Sequence, residues 1–178
     1  MTGYQLAFIE KEYEAAYAVW RHRPACYWSM HREDAASGDA VESVCLALNQ
    51  RGCDIYNDVS ASGPENMAVD VPKAKLAVIC LTRGYIADCS RRGKCRQELE
   101  YVVQNLGTQG CVVLVLDQGL SVSALGLVAS PLARSPTFDL SRGGDDTSLK
   151  MLAAKLNDAM ASSNSPPNSR GGTASSQR

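Results

Sequence analysis

The chain lacks several features that would point directly to a class of function. Its longest apolar runs, 76–81 and 111–116, are far too short to cross a lipid bilayer. Neither sign of charge dominates, because 18 Lys and Arg side chains nearly balance 19 Asp and Glu side chains. Binding to nucleic acid through its phosphates needs a strongly basic face, so we predict no nucleic-acid partner and no membrane partner.

Glycine motifs for nucleotide binding are also missing. No apolar run is followed by G-x-G-x-x-G or by G-x-x-x-x-G-K-[ST], which excludes a standard Rossmann dinucleotide site and a P-loop. The first twenty residues mix Glu10, Lys11 and Glu12 with apolar side chains. We therefore predict no cleavable secretion signal.

Cysteine is plentiful, but its spacing is not that of a zinc site or a disulfide framework. The seven cysteines include no C-x-x-C pair, and several lie inside apolar runs, where a reduced thiol behaves as a small core residue. We predict a reduced, cytoplasmic protein without a metal. A site made of Cys89, Cys95 and a histidine is the alternative, and only His22 and His31 are available for it.

Hydrophobic periodicity predicts an α/β fold. Apolar runs at 25–30, 76–81 and 111–116 are typical of buried strands. The segment 53–57 is predicted as a further strand, and 137–140 suits an edge strand. The predicted helices cover Tyr4 to Trp20, the segment from Val41 to a stop at Gly52, the segment that begins at Lys94, and 146–160. Apolar strands that alternate with amphipathic helices indicate a parallel sheet covered on both faces.

Composition at the two ends sets the predicted domain limits. The first helix makes up 1–23, and the segment 162–178 is so rich in Ser, Pro and Gly that we predict disorder there. One domain remains, at 24–161. Within it, 67–75 is ambiguous, because its apolar residues suit a short helix that Pro72 would interrupt.

Polar residues gather after the predicted strands. In a parallel sheet, ligands bind beyond the carboxyl ends of the strands where strand order reverses, and 29–39, 58–66 and 82–95 would meet there. The helix that follows carries Glu98 on the flank of its apolar stripe. Glu98 is therefore either a solvated glutamate near a helix start or a carboxylate aimed into this crevice.

Three segments resemble the Toll/interleukin-1 receptor (TIR) domain family, in the style of its plant-type members. "YWSMHRED" (27–34) resembles the aromatic-rich first strand that ends in Ser and precedes Glu-Asp. "LALNQRGCDIYND" (46–58) resembles the helix and strand that lead to the BB loop, and "AKLAVICLTRGYIADCSRRGKCRQELEY" (74–101) resembles the third strand and the Cys-x-x-Glu helix start. The resemblance covers about 24–160. It implies a flavodoxin-like, five-stranded parallel sheet with helices on both faces, here with an extra N-terminal helix.

The resemblance also implies a reaction. In enzymatic members of the family, the glutamate of Cys-x-x-Glu cleaves the bond between nicotinamide and ribose in NAD+, which gives Glu98 the catalytic role of an NAD+ nucleosidase. NAD+ is then the substrate, and no further cofactor is implied. A carboxylate suits this step because it stabilises the oxocarbenium-like ribosyl centre left when nicotinamide departs. The residues implied beside the nucleotide are Ser29, Met30, His31, Arg32, Asp34 and Cys95.

Two functions from different classes follow from this resemblance. In the first, the protein is a signalling enzyme of the innate-immunity type that yields nicotinamide and ADP-ribose, or a cyclic form of it, on self-association. In the second, it is a catalytically inactive adaptor that joins other TIR domains through the 58–70 loop. The Cys-x-x-Glu motif favours the enzyme. Lys94 and Met30 favour the adaptor, because catalytic members usually carry aromatic residues at those positions.

Overall fold

The fold is α/β, with one parallel sheet. The computed structural model describes residues 25–163, so the predicted helix over 4–20 and the tail over 164–178 lie outside the described residues. The strands are β1 (Cys26–Ser29), β2 (Leu76–Leu81), β3 (Cys111–Val115) and β4 (Thr137–Asp139). Their order in the sheet follows their order in the chain, and every neighbouring pair is parallel.

Helices cover both faces of the sheet, as the alternating pattern predicted. The helices α1 (Ala35–Asn49) and α6 (Asp146–Ser163) pack on one face, whereas α4 (Arg83–Ser90) and α5 (Lys94–Leu106) pack on the other. The links between β1 and β2 and between β3 and β4 contain α2 (Tyr56–Ala61), α3 (Met67–Asp70), and the 3-10 segments Val71–Lys73 and Val122–Arg134. No helix in the described part of the chain combines the length and the apolar character that crossing a membrane requires.

Two separate apolar cores explain why the strands are apolar along their whole length. Side chains alternate across a strand, so Trp28 of β1 and Val78 of β2 face α1 and α6. Their neighbours Tyr27 and Ile79 face α4 and α5. All four side chains are fully buried, which is what a sheet covered on both faces demands.

The predicted strand over 53–57 is wrong, because the backbone there is committed to the helices on either side. The N–H of Cys53 donates to the carbonyl of Leu48 at 3.0 Å and closes the end of α1. The Asp54 carboxylate accepts from the N–H of Tyr56 at 3.2 Å, where α2 begins. Over the described residues the sheet therefore has four strands rather than five, and β1 is an edge strand.

Side chains from α2 and from the residue that ends it cover this edge of β1. The N–H of Cys26 donates to Asp58 Oδ2 at 2.7 Å, and the N–H of Trp28 donates to Ser62 Oγ at 2.9 Å. Both acceptor residues are buried. The two bonds replace the ladder bonds that another strand would supply, and they anchor the segment 58–70 to β1.

Other predicted elements are confirmed, with some shifted ends. The helix that begins at Lys94 and the edge strand near 137–140 are both present, and α6 continues to Ser163, past the predicted domain boundary at 161. A helix that the pattern did not predict, α4, begins where Thr82 Oγ1 accepts from the N–H of Tyr85 at 3.1 Å.

Candidate functional site

Glu98 lies on the buried side of α5. The Asp88 carboxylate accepts from the N–H of Cys95 at 2.7 Å and so secures the start of this helix. One turn further on, Glu98 is only 3% exposed, beside the buried Cys95 and Leu99. The sequence located Glu98 on the flank of the apolar stripe; the structure turns it inward, so it is not a solvated glutamate.

Hydroxyl groups from β1 hold both oxygens of the Glu98 carboxylate. Tyr27 donates to Oε1 at 2.5 Å, and Ser29 donates to Oε2 at 2.7 Å. Because Tyr27 and Ser29 are two positions apart on a strand, they face the same side of the sheet, toward α5. Behind them, the Tyr85 hydroxyl lies 2.9 Å from Ser29 Oγ, which extends the chain of hydroxyl groups into α4.

Burial, hydrogen bonds and nearby charges have opposing effects on the pKa of Glu98. Burial is the largest effect and raises the pKa of Glu98. The hydrogen bonds from Tyr27 and Ser29 and the charge of Arg32 lower the pKa, and the charge of Glu65 raises it. A carboxyl group with a raised pKa stays protonated to higher pH than an exposed glutamate, so it exchanges its proton closer to neutral pH.

The segment 58–70 contacts residues around this carboxylate. The Tyr27 hydroxyl that bonds to Glu98 is also 3.0 Å from the carbonyl oxygen of Gly63, and the Arg32 guanidinium donates to the carbonyl of Ser62. Tyr27 of β1 and Arg32 just beyond it thus engage consecutive carbonyl groups of the segment. Glu98 is buried, so a ligand that touches its carboxylate must displace groups now packed around it.

Among the predicted nucleotide contacts, the Cys95 thiol meets the backbone of Met30 rather than its side chain. The Met30 side chain packs in the core next to α1 and α6, on the opposite face of the sheet from Glu98. The buried Cys95 thiol lies 3.9 Å from the Met30 carbonyl oxygen, and burial raises the pKa of that thiol. The structure therefore brings Ser29 and Cys95 close to Glu98, but not the side chain of Met30.

His31 and Asp34 lie on the side of this loop that faces α1 and α4. His31 covers Gly84, where an added Cβ would come 2.7 Å from Nδ1, and this buried nitrogen has no hydrogen-bond partner in the described part of the chain. Asp34 caps α1, since its carboxylate accepts from the N–H of Ala36 and the hydroxyl of Ser37, both at 3.1 Å. Asp34 therefore fixes the start of α1 through hydrogen bonds within the chain.

Three residues of this site were missed by the sequence reasoning. Tyr27 was missed although period-two alternation puts it on the same face as Ser29, and this signal was sufficient to find it. Tyr85 and Glu65 have no such signal, because they come from α4 and from the 58–70 segment. Both are brought to Glu98 by the fold.

Other groups around the site do not form a metal centre. Among residues 25–163, no three His, Cys, Asp or Glu side chains converge as ligands, so Cys89 and Cys95 have no third partner there. All seven cysteines are free thiols. Lys94 pairs with Glu33 at 3.2 Å, and both side chains are exposed.

A separate cavity lies on the opposite face of the sheet. Its volume is about 270 Å³, and it lies between α1, the ends of β3 and β4, and the start of α6. Val44, Leu116 and Leu140 are among its lining residues, and none of the candidate site residues lines it. The cavity is therefore independent of Glu98.

Comparison with known proteins leaves the function to be argued from this geometry. No protein-family model matches the chain, and neither does any curated protein or solved structure.

Proposed function

We propose that this protein is a TIR-like signalling domain that cleaves NAD+ to nicotinamide and ADP-ribose, or a cyclic form of it, with Glu98 as the catalytic carboxylate. The observation that carries the proposal is the buried Glu98 carboxylate at the end of β1, held by Tyr27 and Ser29. The motif resemblance supports it. The four parallel strands with helices on both faces are compatible with the flavodoxin-like TIR fold.

The chemistry asks little of the protein besides a well-placed anion. Nicotinamide is already a cationic leaving group in NAD+, so no strong general acid is needed. The developing positive charge on ribose is stabilised by a carboxylate in surroundings from which water is excluded. Tyr27 and Ser29 fix both oxygens of Glu98 before substrate arrives, so that little reorganisation is needed during the reaction.

Access to Glu98 requires movement of the 58–70 segment. Arg32, now bonded to the Ser62 carbonyl, is well situated to exchange that carbonyl for a phosphate oxygen of the dinucleotide, since charge-assisted bonds to phosphate are the stronger ones. Ser29 and Cys95 then border the ribose. His31, next to Arg32 in the chain, lies toward the phosphates. Contact of the 58–70 segment with a second copy of the chain would favour its displacement and so couple activity to self-association.

The test is a nicotinamide-release assay at high protein concentration. We expect the wild-type protein to turn over NAD+ and Glu98→Gln to lose ~10²- to 10³-fold in rate, the usual loss when one transition-state contact is removed. Glu100→Gln is the matched control, because Glu100 is on the same helix but is exposed and paired with Arg96. Equal turnover by the Glu98→Gln variant and the wild-type protein removes Glu98 from the catalytic role.

An adaptor without activity is the second candidate, and one observation favours it. Both oxygens of Glu98 are already hydrogen-bonded inside the fold, so the carboxylate also serves as a structural bridge between α5 and β1. In this case clustered protein releases no nicotinamide, but copies still associate through the 58–70 segment. Val69, which is 54% exposed there, is the residue to change.

Analytical ultracentrifugation tests that surface. Val69→Asp is expected to weaken self-association at least several-fold, because it introduces a charge where apolar contact is expected. Met151→Asp is the control, since Met151 is similarly exposed but lies on α6. Equal association of the two variants contradicts a role for the 58–70 segment.

A further inference from the structure

The Tyr27 hydroxyl lies between two acceptors that compete for it. It is 2.5 Å from Glu98 Oε1 and 3.0 Å from the carbonyl oxygen of Gly63. The Tyr27 side chain is fully buried. A phenol carries a single hydrogen, so Tyr27 fully satisfies only one of these acceptors by donation at any moment.

Counting hydrogens gives a different pattern for each ionisation state of Glu98. When Glu98 is ionised, Ser29 donates to Oε2 and Tyr27 must donate to Oε1. The carbonyl of Gly63 then loses the hydrogen bond from Tyr27 and keeps only the one from the N–H of Asn66, at 3.1 Å. When a proton from solvent binds Oε1, the carboxyl group donates to the Tyr27 oxygen instead. Tyr27 is then free to donate to Gly63, and every group in the row has a partner.

We infer that Tyr27 is a positioning residue that links the protonation of Glu98 to the closure of the 58–70 segment over it. The protonated carboxyl group fastens the segment through Tyr27 and Gly63, and ionisation releases it. The consequence for the reaction rests on the proposed function: the ionised form that stabilises a ribosyl cation is also the form that loosens the cover. As pH rises, Glu98 therefore becomes ionised and accessible to substrate over the same pH range.

The other groups around Glu98 leave this link intact. On the side of Oε2, Ser29 and Tyr85 remain donors in both states. Arg32 favours the ionised form and Glu65 opposes it, so movement of the segment that carries Glu65 also feeds back on Glu98. Burial raises the pKa of the neighbouring phenol and thiol groups, which stay protonated over the range in which Glu98 titrates; these groups are Tyr27, Tyr85, Cys80, Cys89 and Cys95.

A carbon-13 NMR titration of the full chain without NAD+ tests the link. The side-chain carboxyl resonance of Glu98 reports its ionisation, and the carbonyl resonance of Gly63 reports the hydrogen bond from Tyr27. We expect both resonances to titrate with the same midpoint. In Glu98→Gln, the amide N–H mimics the protonated carboxyl group, so the Gly63 resonance is expected to stay at its acid-limit position at every pH. Glu100→Gln is expected to leave the Gly63 titration unchanged.

Amide exchange gives a second readout at one fixed pH where Glu98 of the wild-type protein is ionised. The amides of 58–70 are expected to exchange about 2- to 10-fold more slowly in Glu98→Gln than in the wild-type protein, the effect of one hydrogen bond. The double variant Tyr27→Phe, Glu98→Gln is expected to exchange these amides as fast as the wild-type protein does. The inference is overturned if the Gly63 resonance does not titrate with Glu98. It is also overturned if the 58–70 amides of the double variant still exchange more slowly than those of the wild-type protein. Since neither measurement uses NAD+, failure of the nicotinamide assay is a separate result.

Discussion

At the scale of single residues, the buried position of Glu98 costs folding free energy but suits a chemical role. An ionised carboxylate is disfavoured in a buried site, and here the hydroxyl groups of Tyr27 and Ser29 offset only part of that cost, since the pKa of Glu98 remains raised. Structural needs alone would be met by an amide at this position. A carboxyl group with a raised pKa at this position offers a reaction more than it offers the fold.

This raised pKa makes stability depend on pH. Above the ordinary pKa of a glutamate the unfolded chain releases the proton, whereas the folded chain keeps it until its own higher pKa is reached. Between these two values the folded state binds more protons, so stability falls as pH rises, with a limiting slope of about 1.4 kcal/mol per pH unit from this group. We expect Glu98→Gln to remove that part of the slope in urea unfolding measured across this pH window. A slope equal to that of the wild-type protein contradicts the burial of an ionisable Glu98, and Glu100→Gln provides the comparison.

For Glu98, the sequence predicted the position in the helix but not the hydrogen-bond partners. Helical periodicity located Glu98 beside an apolar stripe, and the family resemblance gave it a role that remains a prediction. Its partners lie far away in the chain: Ser29 is 69 positions before it and Tyr27 is 71 positions before it. Local pattern carries no information about which hydroxyl groups meet which carboxylate, because that pairing depends on how α5 crosses β1.

At the scale of secondary-structure elements, the covered edge of β1 is the least expected feature. A short helix supplies the acceptors that another strand would have supplied, through Asp58 and Ser62. This arrangement ties the 58–70 segment to the strand that carries Tyr27 and Ser29. Anything that moves the segment therefore acts close to Glu98.

Ser62→Ala tests the edge cover. The substitution leaves the buried N–H of Trp28 without its acceptor, and an unsatisfied buried donor costs about 1–3 kcal/mol. We expect the free energy of unfolding in urea to fall by that amount. Ser43→Ala is the control: its hydroxyl bonds to the Asp39 carbonyl on the exposed side of α1, and a change within about 0.5 kcal/mol is expected there. Equal effects of the two substitutions would show that the bond to Trp28 contributes nothing.

The elements that the sequence predicted correctly are those whose structure is determined by local pattern. The incorrect prediction falls where neighbouring elements determine the structure. The strands β2 and β3 are long apolar runs between polar segments, and α5 has a clear apolar stripe, so each is specified locally. The segment 53–57 is less apolar, since it includes Asp54 and Asn57, but Cys53 and Ile55 are indeed buried. Burial was predictable there, but the choice between strand and helix was made by the end of α1 and by the Asp54 side chain.

At the scale of the whole molecule, the sheet separates two apolar cores that do not share side chains. One includes Leu48 of α1 and Leu152 of α6, and the other includes Leu99 and Val102 of α5. The strands contribute to both cores through alternate residues, so each core is built on the same backbone ladder. Loss of packing on one face removes support from strands on which the other face depends.

The two faces are therefore expected to unfold as one unit. Leu99→Ala removes a fully buried side chain from the core next to α5, at a cost of about 2–5 kcal/mol. In native-state amide exchange, the slowest amides of α1 and α6 are expected to lose the same free energy of protection as those of α5, since all of them open only through global unfolding. Leu46→Ala on the exposed side of α1 is expected to change protection by less than about 0.5 kcal/mol. Retained protection in α1 and α6 alongside loss in α5 means that the two cores open independently. The side of the sheet that carries Glu98 would then be able to open without unfolding the rest.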